Sequence, residues 1–397
     1  MKFLLSKIRI LHVTSTPPIP SWGGSMAFYR HFCERSDFEI MVITDNPQVL
    51  DYEVPYQYFL INRGRLWRRI ITTRFYKAGH TLGHFFVRNI HDPKITSAID
   101  AFAPQAVFTV AGSWSWMALL AEKFARRLKI PLIGSFNDWW FYNSIRFEFL
   151  NKLLDRQFRN FYKRCDLAIC TSEGMQKALG PHPNSLVVYP TGTTFENHRD
   201  DSEVRLSKNF LVVFAGNLGE WYGRMLETLV MGSPNPDLSF KIYGSNATWS
   251  AAFDKVVRSK GIYEGQVPFN ILKEKIKSAN ALLLLMGFDK SIAQIEKTSF
   301  KTKFLDYISF NKPILLWGPE YCSAVAVARE FDSAEICISE KATDFLQIIE
   351  GVKNDPSRQR TLVENAGRMY AERFHPDKIH AVLKNGIEAL IQESVLK

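Results

Sequence analysis

Cysteine is scarce in this chain: five among 397 residues, Cys33, Cys165, Cys170, Cys322 and Cys337. An odd number with no C-x-x-C spacing argues against a disulfide framework and predicts buried free thiols in a reducing compartment. Long apolar runs are missing too. The longest, 210–215 and 281–286, are strand-sized and far short of the roughly 20 residues that a membrane span needs. The opening Met1-Lys2-Phe3-Leu4-Leu5 starts basic, but Lys7 and Arg9 break the apolar stretch before a secretory segment could form. A soluble, cytoplasmic protein is the expectation. The sequence also lacks low-complexity tracts, short repeats and any G-x-G-x-x-G dinucleotide fingerprint.

What is present is the composition of a globular protein, 46% hydrophobic and 23% charged. The length suits two domains better than one core. The net charge of +10 is lopsided. Residues 1–200 carry 25 Lys and Arg against 16 Asp and Glu, whereas 201–397 carry 25 against 24. From Val54 to His91 there is no acid at all, and Arg63, Arg65, Arg68, Arg69, Arg74, Lys77 and Arg88 interleave with Trp67, Phe75, Tyr76, Phe85 and Phe86. That pattern suits an anionic membrane surface or a phosphate-bearing acceptor. A solvated helix face of snorkelling side chains is the plain alternative. Nucleic acid is not expected, because no recognised binding module accompanies the charge.

Short apolar runs alternate with amphipathic stretches, which predicts an α/β fold of parallel sheets covered by helices. Ile8–Val13, Glu39–Thr44, Ala106–Val110, Pro131–Gly134, Leu167–Thr171 and Leu186–Tyr189 read as one series of strands. Phe210–Ala215, Ser239–Tyr243, Ala281–Met286 and Pro313–Trp317 read as a second. Closing helices are expected at 356–373 and 376–392. The economical division is an N-terminal Rossmann-like domain over 1–192, a polar linker over 193–208 and a second Rossmann-like domain over 209–375. The final helix, 376–397, would pack back on the first domain. Ligands in such folds sit at the carboxyl ends of strands, so two domains facing a central cleft would put the chemistry there.

Three stretches carry candidate chemistry. Gly23 and Gly24 follow the first strand and open a helix, where backbone amides can approach an anion. Gly216, Asn217, Gly219 and Arg224 hold the equivalent place after the first strand of the second half. Thr298-Ser299-Phe300-Lys301-Thr302-Lys303-Phe304-Leu305-Asp306 precedes the last long strand, and Thr302, Lys303 and Asp306 fall around one turn at a helix start. A hydroxyl and a cation there suit a diphosphate, and a carboxylate one turn later can accept ribose hydroxyls. A tight strand-to-helix turn and a capped surface helix with a Lys–Asp pair are the structural alternatives.

In order along the chain, Phe214-Ala215-Gly216-Asn217-Leu218-Gly219, Lys241-Ile242-Tyr243-Gly244, Tyr263-Glu264-Gly265-Gln266-Val267-Pro268 and Lys303-Phe304-Leu305-Asp306-Tyr307 with Lys312-Pro313-Ile314 resemble the donor-binding half of glycosyltransferase family 4. These are retaining enzymes of the GT-B fold that act in bacterial polysaccharide and glycoconjugate assembly. The N-terminal half is similar in its glycine pair, in Asn137-Asp138-Trp139-Trp140 and in Thr171-Ser172-Glu173-Gly174-Met175. The resemblance implies a GT-B fold and a nucleotide-sugar donor. It places Asp306 on the ribose, Thr302 and Lys303 near the diphosphate, and Gly23, Gly24, Gly216 and Gly219 beside the phosphates. Asn137 and Asp138 would face the acceptor and the reacting sugar. Thr298 and Asp306 stand where the family commonly has two glutamates, Asn137 stands in the place of a histidine, and Arg224 or Lys303 would substitute for the usual cations of the phosphate loop.

The implied reaction is transfer of a sugar from the nucleotide-sugar to a glycan or lipid-linked acceptor, without cofactor. No D-x-D stands at a strand end, which fits catalysis without metal, the leaving diphosphate being neutralised by amides and by Lys303. Retention follows from the resemblance; an inverting enzyme would need a base, for which Asp138 is the candidate. Two other readings remain open: a catalytically silent GT-B protein that binds a nucleotide-sugar or glycan, and a nucleotide-sugar epimerase. A lipid-linked acceptor would bring the protein to the inner face of the membrane through Arg63–Arg88.

Overall fold

The structure, a computed structural model, describes residues 7–21, 23–61, 69, 73, 92–112, 116–139, 148–192, 209–219 and 221–396. The expected linker and most of the basic Arg63–Arg88 stretch lie outside the described residues. The chain divides into two compact units. Unit 1 comprises 1–191, 298–300 and 377–397; unit 2 comprises 192–297 and 301–376.

Unit 1 is built on seven strands: β1 (Ile8–Thr14), β2 (Phe38–Thr44), β3 (Gln57–Leu60), β4 (Ala106–Val110), β5 (Leu132–Phe136), β6 (Leu167–Cys170) and β7 (Ser185–Val187). They lie in the order β3-β2-β1-β4-β5-β6-β7, every pairing parallel. β4, β5 and β6 are buried at every position, as near-continuous apolar runs with both faces covered must be. The connecting helices are α1 (Gly24–Phe32), α2 (Pro93–Phe102), α3 (Met117–Leu128), α4 (Glu148–Arg164) and α5 (Glu173–Leu179).

Local sequence sets several of these boundaries. Asp92 caps α2 by accepting from the Lys94 amide at 2.9 Å, with Pro93 at the first helical position. Ser172 caps α5 through the Met175 amide at 3.0 Å. After β3 the strand order reverses, the chain returning to place β4 on the other side of β1, so the switch point of the sheet falls at the carboxyl ends of β1 and β4.

Unit 2 has five strands, β8 (Phe210–Ala215), β9 (Leu238–Tyr243), β10 (Ala281–Leu285), β11 (Ile314–Trp317) and β12 (Glu335–Cys337), all parallel in the order β12-β11-β10-β8-β9. Its switch point falls between β8 and β10. Around the sheet lie α6 (Trp221–Met231), α7 (Ala251–Ser259), α8 (Phe269–Lys277), α9 (Ala293–Thr298), α10 (Thr302–Ile308), α11 (Ser323–Phe331), α12 (Ala342–Lys353) and α13 (Pro356–Met369). Ala281–Leu285 is fully buried, and each of its four leucines contributes roughly 1.5–3 kcal/mol by leaving water. Trp317 stacks on Phe345 of α12 with ring centroids 5.1 Å apart, and donates its indole N–H to the Ser339 carbonyl at 2.7 Å.

The closing stretch read from the sequence as one helix over 356–373 is α13 followed by a π-turn, Tyr370–Phe374, with Tyr370 and Phe374 buried. After it, α14 (Pro376–Leu396) packs on unit 1, where a Cβ at Gly386 would overlap the Leu186 side chain. Among the described residues, no helix is long and apolar enough to cross a membrane.

Candidate active site

The donor-side candidates of unit 2 converge on the carboxyl end of β8. Gly216 follows that strand with φ of +148°, outside the range comfortable for other residues, and its amide donates to the Tyr243 carbonyl at 2.8 Å. A Cβ at Gly216 would overlap the ammonium of Lys303, and a Cβ at Gly244 (φ +154°) would overlap the carbonyl of Gly216. Two glycines therefore let two backbone segments and a lysine share one small space. Asn217 organises the turn beyond: its Oδ1 accepts from the Gly219 amide at 3.1 Å and from Asn246 at 3.4 Å.

α10 is fixed against β8 by Tyr307, whose buried hydroxyl accepts from the Ala215 amide at 2.9 Å and donates to the Ala215 carbonyl at 3.2 Å. This anchor places Lys303, half-buried on the first turn of the same helix, with its ammonium 4.5 Å from the Phe214 ring centroid. The cation–π contact is favourable but brings no counter-charge. Among the described residues no carboxylate pairs with Lys303. Burial, and then the charge of Lys301, pull its pKa down to about 7, while Glu296 opposes the fall.

Lys301, the N-cap of α10, has the opposite environment. Its ammonium lies 3.0 Å from Glu296 Oε2 and 3.0 Å from the Tyr222 hydroxyl. Burial would lower its pKa, but Tyr222 and Glu296 together hold it above the ordinary lysine range. Glu296 is 1% exposed. Its Oε1 accepts from the Tyr222 hydroxyl at 2.7 Å and from the Gly287 amide, just past β10, at 3.1 Å. Burial and the Glu296 charge push the Tyr222 phenol up to about 12, despite the opposing pull of Lys301. The buried carboxylate is thus hydrogen-bonded through Oε1 by a phenol and an amide, while Oε2 meets the Lys301 ammonium as an ion pair and, among the described residues, accepts no hydrogen bond.

Thr302 and Asp306 sit with Lys303 on α10, half-buried, Asp306 three residues on. Arg224 is exposed on α6, where it contributes, behind the hydrogen bonds from Ser291, to holding the Asp289 carboxyl below its usual range.

Unit 1 gathers the remaining candidates. Gly23 (φ +66°) is the N-cap residue of α1, and Gly24 opens the helix beyond the end of β1. Beyond β5, Asn137 accepts from the Ser135 hydroxyl at 2.7 Å. Asp138 is exposed and accepts from the Ser299 hydroxyl at 2.8 Å. Thr298 is wholly buried, with its carbonyl accepting from Ser172 at 2.5 Å. The sequence-derived residues thus form two groups. Gly23, Gly24, Asn137, Asp138 and Thr298 lie in unit 1; Gly216, Asn217, Gly219, Arg224, Thr302, Lys303 and Asp306 lie in unit 2.

Sequence reasoning passed over Glu296, Lys301 and Tyr222. Their one sequence signal is an acid and a base five residues apart, Glu296 just ahead of the polar stretch 298–306 and Lys301 within it. Tyr222 comes from a helix some 75 residues earlier and gives no such signal.

Residues 28–195 match the sequence model of Glycosyltransferase Family 4. No curated protein sequence matches the chain. The fold is that of the GT-B glycosyltransferases. HepE from Anabaena in complex with UDP aligns with a TM-score of 0.63 and 14% identity over 97% of this chain and 100% of that one. The same protein with UDP-glucose gives 0.65 and 13% over 96% and 100%. Sucrose-phosphate synthase from Thermosynechococcus elongatus gives 0.65 and 11% over 98% and 100%.

Proposed function

We propose that this chain transfers a sugar from a nucleoside-diphosphate sugar to a hydroxyl of a glycan or lipid-linked acceptor. One observation carries the reading: the Lys303 ammonium, without a carboxylate partner among the described residues, lies against Gly216 at the carboxyl end of β8, beside the switch point of its sheet. A partly desolvated cation at that place is matched by a diphosphate, and the solved complexes of HepE with UDP and UDP-glucose support the same donor class.

In this reading Lys303 neutralises the charge that grows on the diphosphate as the glycosidic bond breaks. The amides around Gly216, Asn217 and Gly219 assist it, and Thr302 adds a hydroxyl. Asp306 accepts from the ribose hydroxyls. In unit 1, Asn137 and Asp138 orient the acceptor and the sugar, and Gly23 and Gly24 give the phosphates a close backbone approach. Transfer proceeds with retention and without a metal, and no cofactor takes part. Such an enzyme works in the cytoplasm, at the inner membrane face when its acceptor is lipid-linked.

The test is UDP binding and UDP-sugar turnover by the purified chain, with Lys303→Met and Asp306→Ala alongside. Wild-type binding raises thermal stability, and each variant loses affinity at least tenfold while its melting profile without ligand is retained. Unchanged binding by both variants would refute the assignment.

A further inference from the structure

We propose that Glu296 is a positioning residue for the donor diphosphate: by pairing with Lys301 it reserves Lys303 as the ammonium that meets the ligand. This rests on the donor reading of the β8 crevice. The two lysines flank Thr302 and so leave the helix start in different directions. Lys301 turns to Glu296 and Tyr222, 3.0 Å from each, and its charge is spent there. Among the described residues, the Glu296 carboxylate meets the Lys301 ammonium, the Tyr222 hydroxyl and the Gly287 amide. Lys303 turns to the Phe214 ring and Gly216, neither of which carries charge.

Among the described residues, the charged groups that act on Lys303 are Lys301, which disfavours its ammonium, and Glu296, which favours it; Tyr222, hydrogen-bonded by Lys301, is neutral. Glu296 therefore does two things at once. It offsets the repulsion that Lys301 would exert on its neighbour, and it prevents Lys301 from swinging out to compete for the phosphates. Without that carboxylate, two lysines two residues apart would share one anion site, and Lys303 would give up its proton more readily. With it, Lys303 keeps its proton up to about pH 7, and a diphosphate bound beside it would hold the proton further.

The experiment follows the Lys303 ammonium by the 13Cε resonance of lysine-labelled full chain, assigned by its loss in Lys303→Met, from pH 6 to 10, and measures UDP affinity over the same range. Glu296→Gln should lower the Lys303 midpoint by about one pH unit, and Lys301→Met should raise it by about one. The double variant should return it towards wild type. The alkaline fall in UDP affinity should move with each midpoint, a tenfold change per unit. A purely structural Glu296 would lower stability and leave these midpoints in place, which would overturn the proposal. Should Glu296→Gln not fold, Lys301→Met decides alone: an upward shift supports the arrangement and an unmoved midpoint refutes it. If the midpoints move but wild type does not bind UDP, the charge arrangement stands and the donor reading falls; if UDP binds and the midpoints stay put, only the present inference falls.

Discussion

The Tyr307 hydroxyl satisfies both backbone groups of Ala215 at once, at 2.9 Å from the nitrogen and 3.2 Å from the oxygen. A phenylalanine there keeps the ring packing but strands two buried polar groups at the carboxyl end of β8. Tyr307→Phe should cost about 1–3 kcal/mol of stability in urea denaturation. It should also weaken UDP binding, because the same contact sets the helix that carries Lys303. A variant of unchanged stability would mean that α10 does not depend on this anchor.

Gly216→Ala tests the close approach from the other side. Its new methyl overlaps the Lys303 ammonium, the movable end of a flexible side chain, so the fold should survive with a backbone strain of about 1–2 kcal/mol. Affinity for UDP should fall tenfold or more as the ammonium is displaced. Gly244→Ala meets a carbonyl instead, which cannot swing away, and should destabilise unit 2 by more than Gly216→Ala does. Equal melting temperatures for the two variants would contradict this.

These residues mark how far the sequence could be read. The parallel strands were legible because runs such as Ala281–Leu285 are apolar on both faces and bounded by polar turns. Thr302 and Lys303 at a helix start were legible from spacing alone. Which of the two lysines is paired with a carboxylate among the described residues was not, since that depends on Tyr222 arriving from α6 and on the amide of Gly287 past β10. The π-turn at Tyr370–Phe374 was equally hidden, because the helical period continues through it and no residue type in the sequence marks the wider turn that buries Tyr370 and Phe374.

Buried histidines give the protein an acid limb. His12 lies among Phe28, Phe32 and Phe108, neither ring nitrogen hydrogen-bonded among the described residues, and burial pulls its pKa down to about 3. His31 is likewise brought to about 3, by burial first and then by His380, Arg35 and Arg30. Both remain neutral in the fold but take protons in the unfolded chain below about pH 6.5. Stability is therefore full above pH 6.5 and falls as pH drops towards 3, by up to about 1.4 kcal/mol per pH unit for each histidine. His12→Leu should flatten this slope in urea titrations between pH 6.5 and 4.5. An unaltered slope would place the acid sensitivity elsewhere.

The acid-free stretch holding Arg63 to Arg88 bears on membrane attachment. The chain should float with liposomes containing phosphatidylserine or phosphatidylglycerol and stay behind with neutral ones, and 0.5 M salt should abolish the effect, since screening shortens to a few ångströms (about 4 Å) there. Replacing Arg65, Arg68 and Arg69 by Gln should reduce flotation. Salt-independent or lipid-independent behaviour would rule out an electrostatic attachment.

The return of α14 to unit 1 governs the order of events at the ribosome. Leu186 and Leu167 are covered by the turn of helix around Gly386, which is translated some two hundred residues after them. While unit 2 can close as soon as its own five strands and helices have emerged, unit 1 must wait with an open flank. Nascent chains halted near residue 300 should accordingly engage holdase chaperones through that flank, and release should coincide with the emergence of 376–396.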